Sequence, residues 1–143
     1  MFTGDREVAR IGRGLLLLVC VEGGDDPPLA ARMARKVAAL RLFPGEGDRA
    51  FDRTVGEVGG AALVVSQFTL VGDVRRGNRP SWAGAARPEE AAPLVQAFAD
   101  ALLTTGIPVD MGVFGATMDV SLLNDGPVTL VLDSSALAGP RRS

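Results

Sequence analysis

Ser66-Gln67-Phe68-Thr69 is a set of polar side chains around one aromatic, and it closes the apolar run Ala61-Ala62-Leu63-Val64-Val65. Hydroxyl and amide groups at the end of a buried strand can be offered to a ligand, because the rigid scaffold stops there and solvent begins. Strand alternation puts Gln67 and Thr69 on one face, with Ser66, Phe68 and Leu70 on the other. The same residues suit an edge strand whose hydroxyls bond to its neighbours, so residue types alone leave both readings open. A second group, Asn124-Asp125-Gly126-Pro127-Val128-Thr129, is either a hairpin turn or a stiff Gly-Pro peptide presented at a site. Asn-Asp-Gly is turn chemistry, and Pro can open a strand. Between the two groups, the loop 72–87 carries Arg75, Arg76, Arg79 and Trp82. Its arginines are either a solvated loop or a local contact for phosphates.

What is missing narrows the chemistry further. The chain has no histidine, no tyrosine and a single cysteine. A Ser–His–Asp triad, a Cys–His pair and any histidine acid–base are excluded. A zinc site lacks ligands, no metal or other cofactor is expected, and no intrachain disulfide can form. Catalysis must then come from backbone groups, hydroxyls, carboxylates, arginines or the substrate itself. Cys20 lies at the end of an apolar run and reads as a small buried hydrophobe rather than a nucleophile. The formal charge of −2 gives no global pull on nucleic acid, so any RNA contact has to be local.

The elements that must position these groups follow from hydrophobic patterning. At 143 residues, with 47% of them hydrophobic, the chain is one domain's worth of core. Residues 7–22 read as strand material broken by Gly12-Arg13-Gly14, and 15–21 is continuously apolar, as in a strand covered on both faces. That run is too short to span a membrane, and Met1–Asp5 lacks the pattern of a signal peptide. A cytoplasmic location is expected. Asp26, Pro27 and Pro28 start a helix with Leu29, Met33, Val37 and Leu40 as its inner stripe. Residues 44–60 form a loop, and 61–71 a strong strand. Pro88, Glu89 and Glu90 open a second helix with Leu94, Phe98, Leu102 and Thr105 inward, and Pro93 kinks its first turns. Three strands follow, at about 108–114, 117–123 and 127–133. The reading is a single α/β (α+β) domain over 1–135, with a mostly antiparallel or mixed, barrel-like sheet, two helices and a frayed tail at 136–143.

Taken in order, these stretches resemble the D-aminoacyl-tRNA deacylase family. The resemblance rests on Val64-Val65-Ser66-Gln67-Phe68-Thr69-Leu70 and on Gly72-Asp73 with Arg75-Arg76-Gly77-Asn78-Arg79-Pro80-Ser81. It continues through Gly112-Val113-Phe114-Gly115-Ala116 and Val120-Ser121-Leu122-Leu123-Asn124-Asp125-Gly126-Pro127-Val128-Thr129. It is collinear from about Ile11 to Asp133. It implies a deacylase-type fold, hydrolysis of the ester of D-aminoacyl-tRNA, and a homodimer in which each subunit lends Gly126-Pro127, in cis, to its partner's site. The carbonyls of that dipeptide would hold the substrate's ammonium group, leaving no room for an L side chain. Because glycine has no side chain to collide, glycyl-tRNA should also be cleaved. The resemblance places Ser66, Gln67, Phe68 and Thr69 at the chemistry. It puts Asn124, Gly126, Pro127, Val128, Thr129, Phe114 and Met118 around the amino acid, and Arg75, Arg76 and Arg79 on the tRNA.

Backbone N–H groups near Phe68 and Thr69 are the natural donors to the developing oxyanion. Thr69 is either a nucleophile without a histidine base or a wall of the pocket, with the ribose 2′-hydroxyl assisting. The second is favoured, since Asp73, Asp119 and Asp125 are the only carboxylate candidates. Two departures from the family stand out. Its usual first strand, with a Gln-Arg pair, is absent ahead of Glu7; a start codon assigned too far downstream is favoured over true truncation. Ala50-Phe51-Asp52 replaces a Met-Asn pair, and Phe51 is expected to fill the same apolar space. The alternatives are a synthetase-type editing domain and a non-catalytic RNA-binding or dimerising module.

Overall fold

The computed structural model describes residues 1–126 and 128–137. Its frame is a parallel three-stranded sheet ordered β3 (Gly14–Val19), β4 (Ala61–Ser66), β5 (Val109–Met111). Gly14 pairs with Ala61, and Ala62 with Val109. Parallel neighbours need long crossovers, and each crossover here contains a helix: α1 (Pro27–Ala39) and α2 (Pro88–Thr104). A small antiparallel hairpin, β1 (Phe2–Thr3) with β2 (Arg6–Glu7), precedes them as a separate sheet; the α/β class is as expected, while the main sheet is parallel rather than mostly antiparallel or mixed. A third short helix, α3 (Ser134–Leu137), follows.

Both long helices start where local chemistry says they should. Asp26 caps α1 by accepting the Leu29 N–H at 3.0 Å, ahead of Pro27 and Pro28. In α2, Pro88 fills the first position and Glu89 and Glu90 face the positive end of the dipole. The helix runs unbroken past Pro93. Pro93 is the sixth residue of α2, so it forgoes the bond that its N–H would have made to the Glu89 carbonyl, and the helix continues through it. The inner stripe of α1 is turned from the one expected: Ala30, Met33, Ala34 and Val37 face the core, while Leu29 stays outside it. In α2 the core face is Ala91, Val95, Phe98, Ala99 and Leu102. Thr105 is exposed and instead donates its hydroxyl to the Leu102 carbonyl at 2.6 Å.

Alternation along β4 divides the core in two. Ala62 and Val64 join the helices, Val55 and Ile107 on one face. Leu63 and Val65 meet Met1, Ala9, Leu16, Met118 and Val120 on the other. Each large side chain buried this way contributes about 1.5–3 kcal/mol. The second cover is thin, and Leu18 of β3 remains exposed.

The chain after β5 departs from the sequence reading. Residues 117–123 and 128–133 form no strand; their ladder contact is a bridge from Asp119 to Phe2, with N···O distances of 2.8 and 2.9 Å. A strand needs a continuous neighbour, and among the described residues these have only that single bridge. Leu122, Leu123, Leu130 and Val131 are consequently exposed, the last at 93%. Phe51 is 65% exposed rather than filling apolar space. Ala136 and Leu137 of the expected tail belong to α3, and its remainder lies outside the described residues.

Candidate active site

Parallel strands end at one edge of their sheet, and the segments leaving them meet there. At the carboxyl edge of β3 and β4, the Gln67 N–H still reaches the Val19 carbonyl at 2.8 Å. One residue later the chain turns into a 3₁₀ turn, Phe68–Val71. Residues 61–71 are therefore a strand only to Ser66, and the simple alternation expected for Gln67 and Thr69 does not apply. These two side chains meet by another route: the Gln67 amide Nε2 donates to Thr69 Oγ1.

The turn leaves its first donors unused. Leu70 N–H goes to the Gln67 carbonyl at 3.3 Å and Gly72 N–H to that of Thr69 at 3.1 Å. The N–H groups of Phe68 and Thr69 have no acceptor among the described residues, as the start of any helical turn requires. Gln67 precedes them with non-helical backbone (φ −143°, ψ 80°) and supplies no side-chain cap. Two adjacent donors at a solvent-facing strand end can hold an anionic oxygen.

Cys20 lies beneath this turn. It is half-buried, one residue beyond β3, and its thiol donates to the Phe68 carbonyl at 3.6 Å. It is therefore a contact of the turn rather than strand core, a role its sequence position did not reveal. Burial first, and then the charge of Glu22, push its pKa up, against an opposing contribution from the Val71 N–H. A raised pKa keeps the thiol protonated and able to donate at neutral pH. Alkylation by iodoacetamide should thus accelerate only above the range of a free thiol. A pH–rate midpoint at or below that of a model thiol would contradict this environment.

The arginine loop returns to the same turn. Asp73 and Ser81 exchange two backbone hydrogen bonds of 2.8 Å, which closes residues 74–80 into a tip. Gly77 turns that tip at φ +61°, where a side chain would be strained. The Asp73 carboxylate accepts from Arg75 at its backbone N–H (3.0 Å), Nε (2.9 Å) and Nη2 (2.7 Å). Arg75 accordingly holds the Asp73 carboxyl below its ordinary pKa. Arg76 and Arg79 are exposed and form no ion pair among the described residues. Beyond the bridge, the Trp82 ring meets the Phe68 ring edge to face, with centroids 5.6 Å apart. A Cβ on Gly72 would lie 2.6 Å from Trp82 Cζ3, so this approach requires glycine.

The remaining expected site residues lie on the long exposed segment. Asn124 Nδ2 donates to Thr129 Oγ1 at 3.2 Å, tying the base of the 124–129 loop. At Gly126 a Cβ would sit 2.7 Å from the Val128 nitrogen. Pro127 lies outside the described residues. Phe114 is exposed on the 113–116 turn, which Gly115 allows with φ +77°. Met118 supports that turn, its sulfur accepting the Val113 N–H at 3.3 Å. Ser66, Gln67, Phe68 and Thr69 are thus brought together with the arginine loop. No hydrogen bond among the described residues joins them to residues 124–129 of the same chain. Two open surface depressions, one lined by Glu46, Arg49 and Arg53 and the other by Asp26, Leu29 and Arg32, include none of the turn's residues. No three His, Cys, Asp or Glu side chains gather as a metal set among the described residues.

Comparison with known proteins follows the same boundaries. The family model for D-Tyr-tRNA(Tyr) deacylase matches residues 2–133. A D-aminoacyl-tRNA deacylase of Thermomicrobium roseum is 57% identical over 132 residues, 92% of this chain and 85% of that protein. One of Chloroflexus aurantiacus is 55% identical over 136 residues, covering 95% and 84%. Among solved structures, the c-Myc DNA Unwinding Element Binding Protein superposes with a TM-score of 0.86 at 34% identity, covering 92% of this chain and 89% of that one.

Proposed function

Because the chain belongs to the D-Tyr-tRNA(Tyr) deacylase family, we propose that it hydrolyses the ester of D-aminoacyl-tRNA and that the Phe68–Thr69 turn is where the ester carbonyl is held. The observation that carries this reading is the pair of unused N–H groups at Phe68 and Thr69. Water adds to the carbonyl, the oxyanion rests on these two donors, and the acyl–oxygen bond to the ribose breaks. The ribose oxygen takes a proton, and a free amino acid and tRNA leave. Such donors are already in place before charge develops, which is why each lowers the barrier by about 3 kcal/mol.

Thr69 is a wall of this pocket rather than its nucleophile. Its hydroxyl oxygen already accepts from Gln67, and no base stands beside it among the described contacts. The substrate's own 2′-hydroxyl assists the attack instead. No metal or cofactor enters the step. Arg76 and Arg79 meet tRNA phosphates, and the reaction takes place in the cytoplasm, where charged tRNA is used. Among the described residues no helix is long and apolar enough to cross a membrane.

Handedness is read by a second copy of the chain. Gly126-Pro127, in cis, reaches from each subunit into the other's site and occupies the space that an L side chain would need. Support comes from the 124–129 loop, which is exposed, tied at its base and unconnected by hydrogen bonds to its own chain's turn. Leu122, Leu123, Leu130 and Val131 flank it and offer apolar surface for a partner to cover. Phe114 gives its ring to the amino acid, with Met118 holding the turn beneath.

The deciding experiment compares D-tyrosyl-, L-tyrosyl- and glycyl-tRNA with wild type and Thr69→Ala. D-tyrosyl- and glycyl-tRNA should be cleaved and L-tyrosyl-tRNA spared, with Thr69→Ala within about threefold of wild type. Binding without turnover of any substrate would replace this reading with a non-catalytic RNA-binding module. Intact glycyl-tRNA would rule out selection by steric clash.

A further inference from the structure

We propose that Trp82 is a positioning residue that ties the arginine loop to the oxyanion-holding turn, so that phosphates on Arg76 and Arg79 steady the donors at Phe68 and Thr69. This rests on the reading of that turn as the ester site. The connection is continuous and short. Arg76 and Arg79 sit on the tip of a strap closed by the Asp73–Ser81 bridge. The next residue, Trp82, presses its indole on the Phe68 ring at 5.6 Å and an interplanar angle of 83°. Phe68 carries one of the two free N–H groups, and its carbonyl is held from beneath by Cys20.

The strap is stiff where it must transmit and open where it must bind. Asp73 consumes Arg75 within the loop, so Arg75 braces the strap while Arg76 and Arg79 point to solvent. Gly72 lets the indole lie directly on the backbone at the turn's exit. The turn itself has little else to fix it: Phe68 and Leu70 are more than half exposed, and none of its residues is buried. An edge-to-face aromatic pair contributes about 0.5–1.5 kcal/mol beyond simple burial. That is enough to bias a short turn and too little to hold the fold.

Trp82 is the chain's only tryptophan, so the emission reports on the surroundings of this one side chain. In deacylation of D-tyrosyl-tRNA, Trp82→Ala should lower kcat about tenfold with little change in KM, as expected for a small misplacement of donors. Trp82→Phe, which keeps an aromatic edge, should restore most of that loss. Arg76→Ala with Arg79→Ala should instead raise KM and flatten its salt dependence. Two probes read the coupling without turnover. A non-hydrolysable D-tyrosyl amide of 3′-amino-adenosine, too short to reach the arginines, should shift Trp82 emission in wild type. An uncharged tRNA should shift it in wild type but not in the arginine variant. The proposal is overturned if Trp82→Ala keeps kcat within twofold, if Trp82→Phe rescues nothing, or if the amide binds without changing the emission. If Trp82→Ala fails to fold, the Phe variant and the two emission shifts decide. Wild type that neither cleaves the substrate nor binds the amide would instead refute the deacylase reading beneath it.

Discussion

Phe68→Pro is expected to reduce kcat on D-aminoacyl-tRNA by about 10²–10³-fold relative to Phe68→Ala, the loss typical of removing one oxyanion donor. Proline at this position deletes the N–H and little else of the backbone. Phe68 opens a helical turn, a place where proline's fixed φ is suitable and its missing donor breaks no internal bond. Gln67 before it lies outside the helical region (φ −143°, ψ 80°), the region that a following proline disfavours. The variant also loses the ring on Trp82, so Phe68→Ala is the reference: it keeps the donor, loses the ring, and should fall only about tenfold. Single-turnover rates and melting curves for the two variants separate the effects. Equal losses in both would mean that the Phe68 N–H does not hold the oxyanion.

Gly126→Ala is the second large effect, with an expected loss on D substrates of about 10²-fold. The new Cβ would lie 2.7 Å from the Val128 nitrogen, a backbone atom that cannot swing aside. The loop must open between residues already tied by Asn124 and Thr129, and the peptide it presents moves with it. Because Gly126 is exposed and outside both core clusters, the melting temperature should hardly change. Discrimination should also weaken, with L-tyrosyl-tRNA cleaved at a larger fraction of the D rate. Full D activity with unaltered discrimination would remove this loop from chiral selection.

The elements that a reader of residues could place are those whose causes are local. Asp26-Pro27-Pro28 and Pro88-Glu89-Glu90 carry their own start signals, and both long helices begin where these stand. The apolar runs behind β3 and β4 were equally plain. The turn at Phe68–Val71 was not, because its composition is that of a strand. It is Gln67 bonding Thr69, and Trp82 crowding Gly72 from ten positions away, that mark where the strand stops. Residues 128–133 misled for the opposite reason: they have strand composition but no strand partner among the described residues. At the candidate site, the polarity of Ser66-Gln67-Phe68-Thr69 leaves an edge strand and a site both open, and it is the resemblance that favours the site. Cys20 and Trp82 were not assigned to the turn, since their part depends on contacts over 48 and 14 positions, which leave no periodic trace.

The parallel sheet also sets an order of assembly. β4 pairs with β3 and with β5 across separations of about fifty positions each, and closing such loops is entropically slow. α1, with its local cap, can form early. The middle strand is seated on both sides only once Met111 is available. A polypeptide emerging from the ribosome therefore holds β4 paired on one side only until β5 has been made, although Cys20 and Trp82, the contacts of the 68–71 turn, are already present by then.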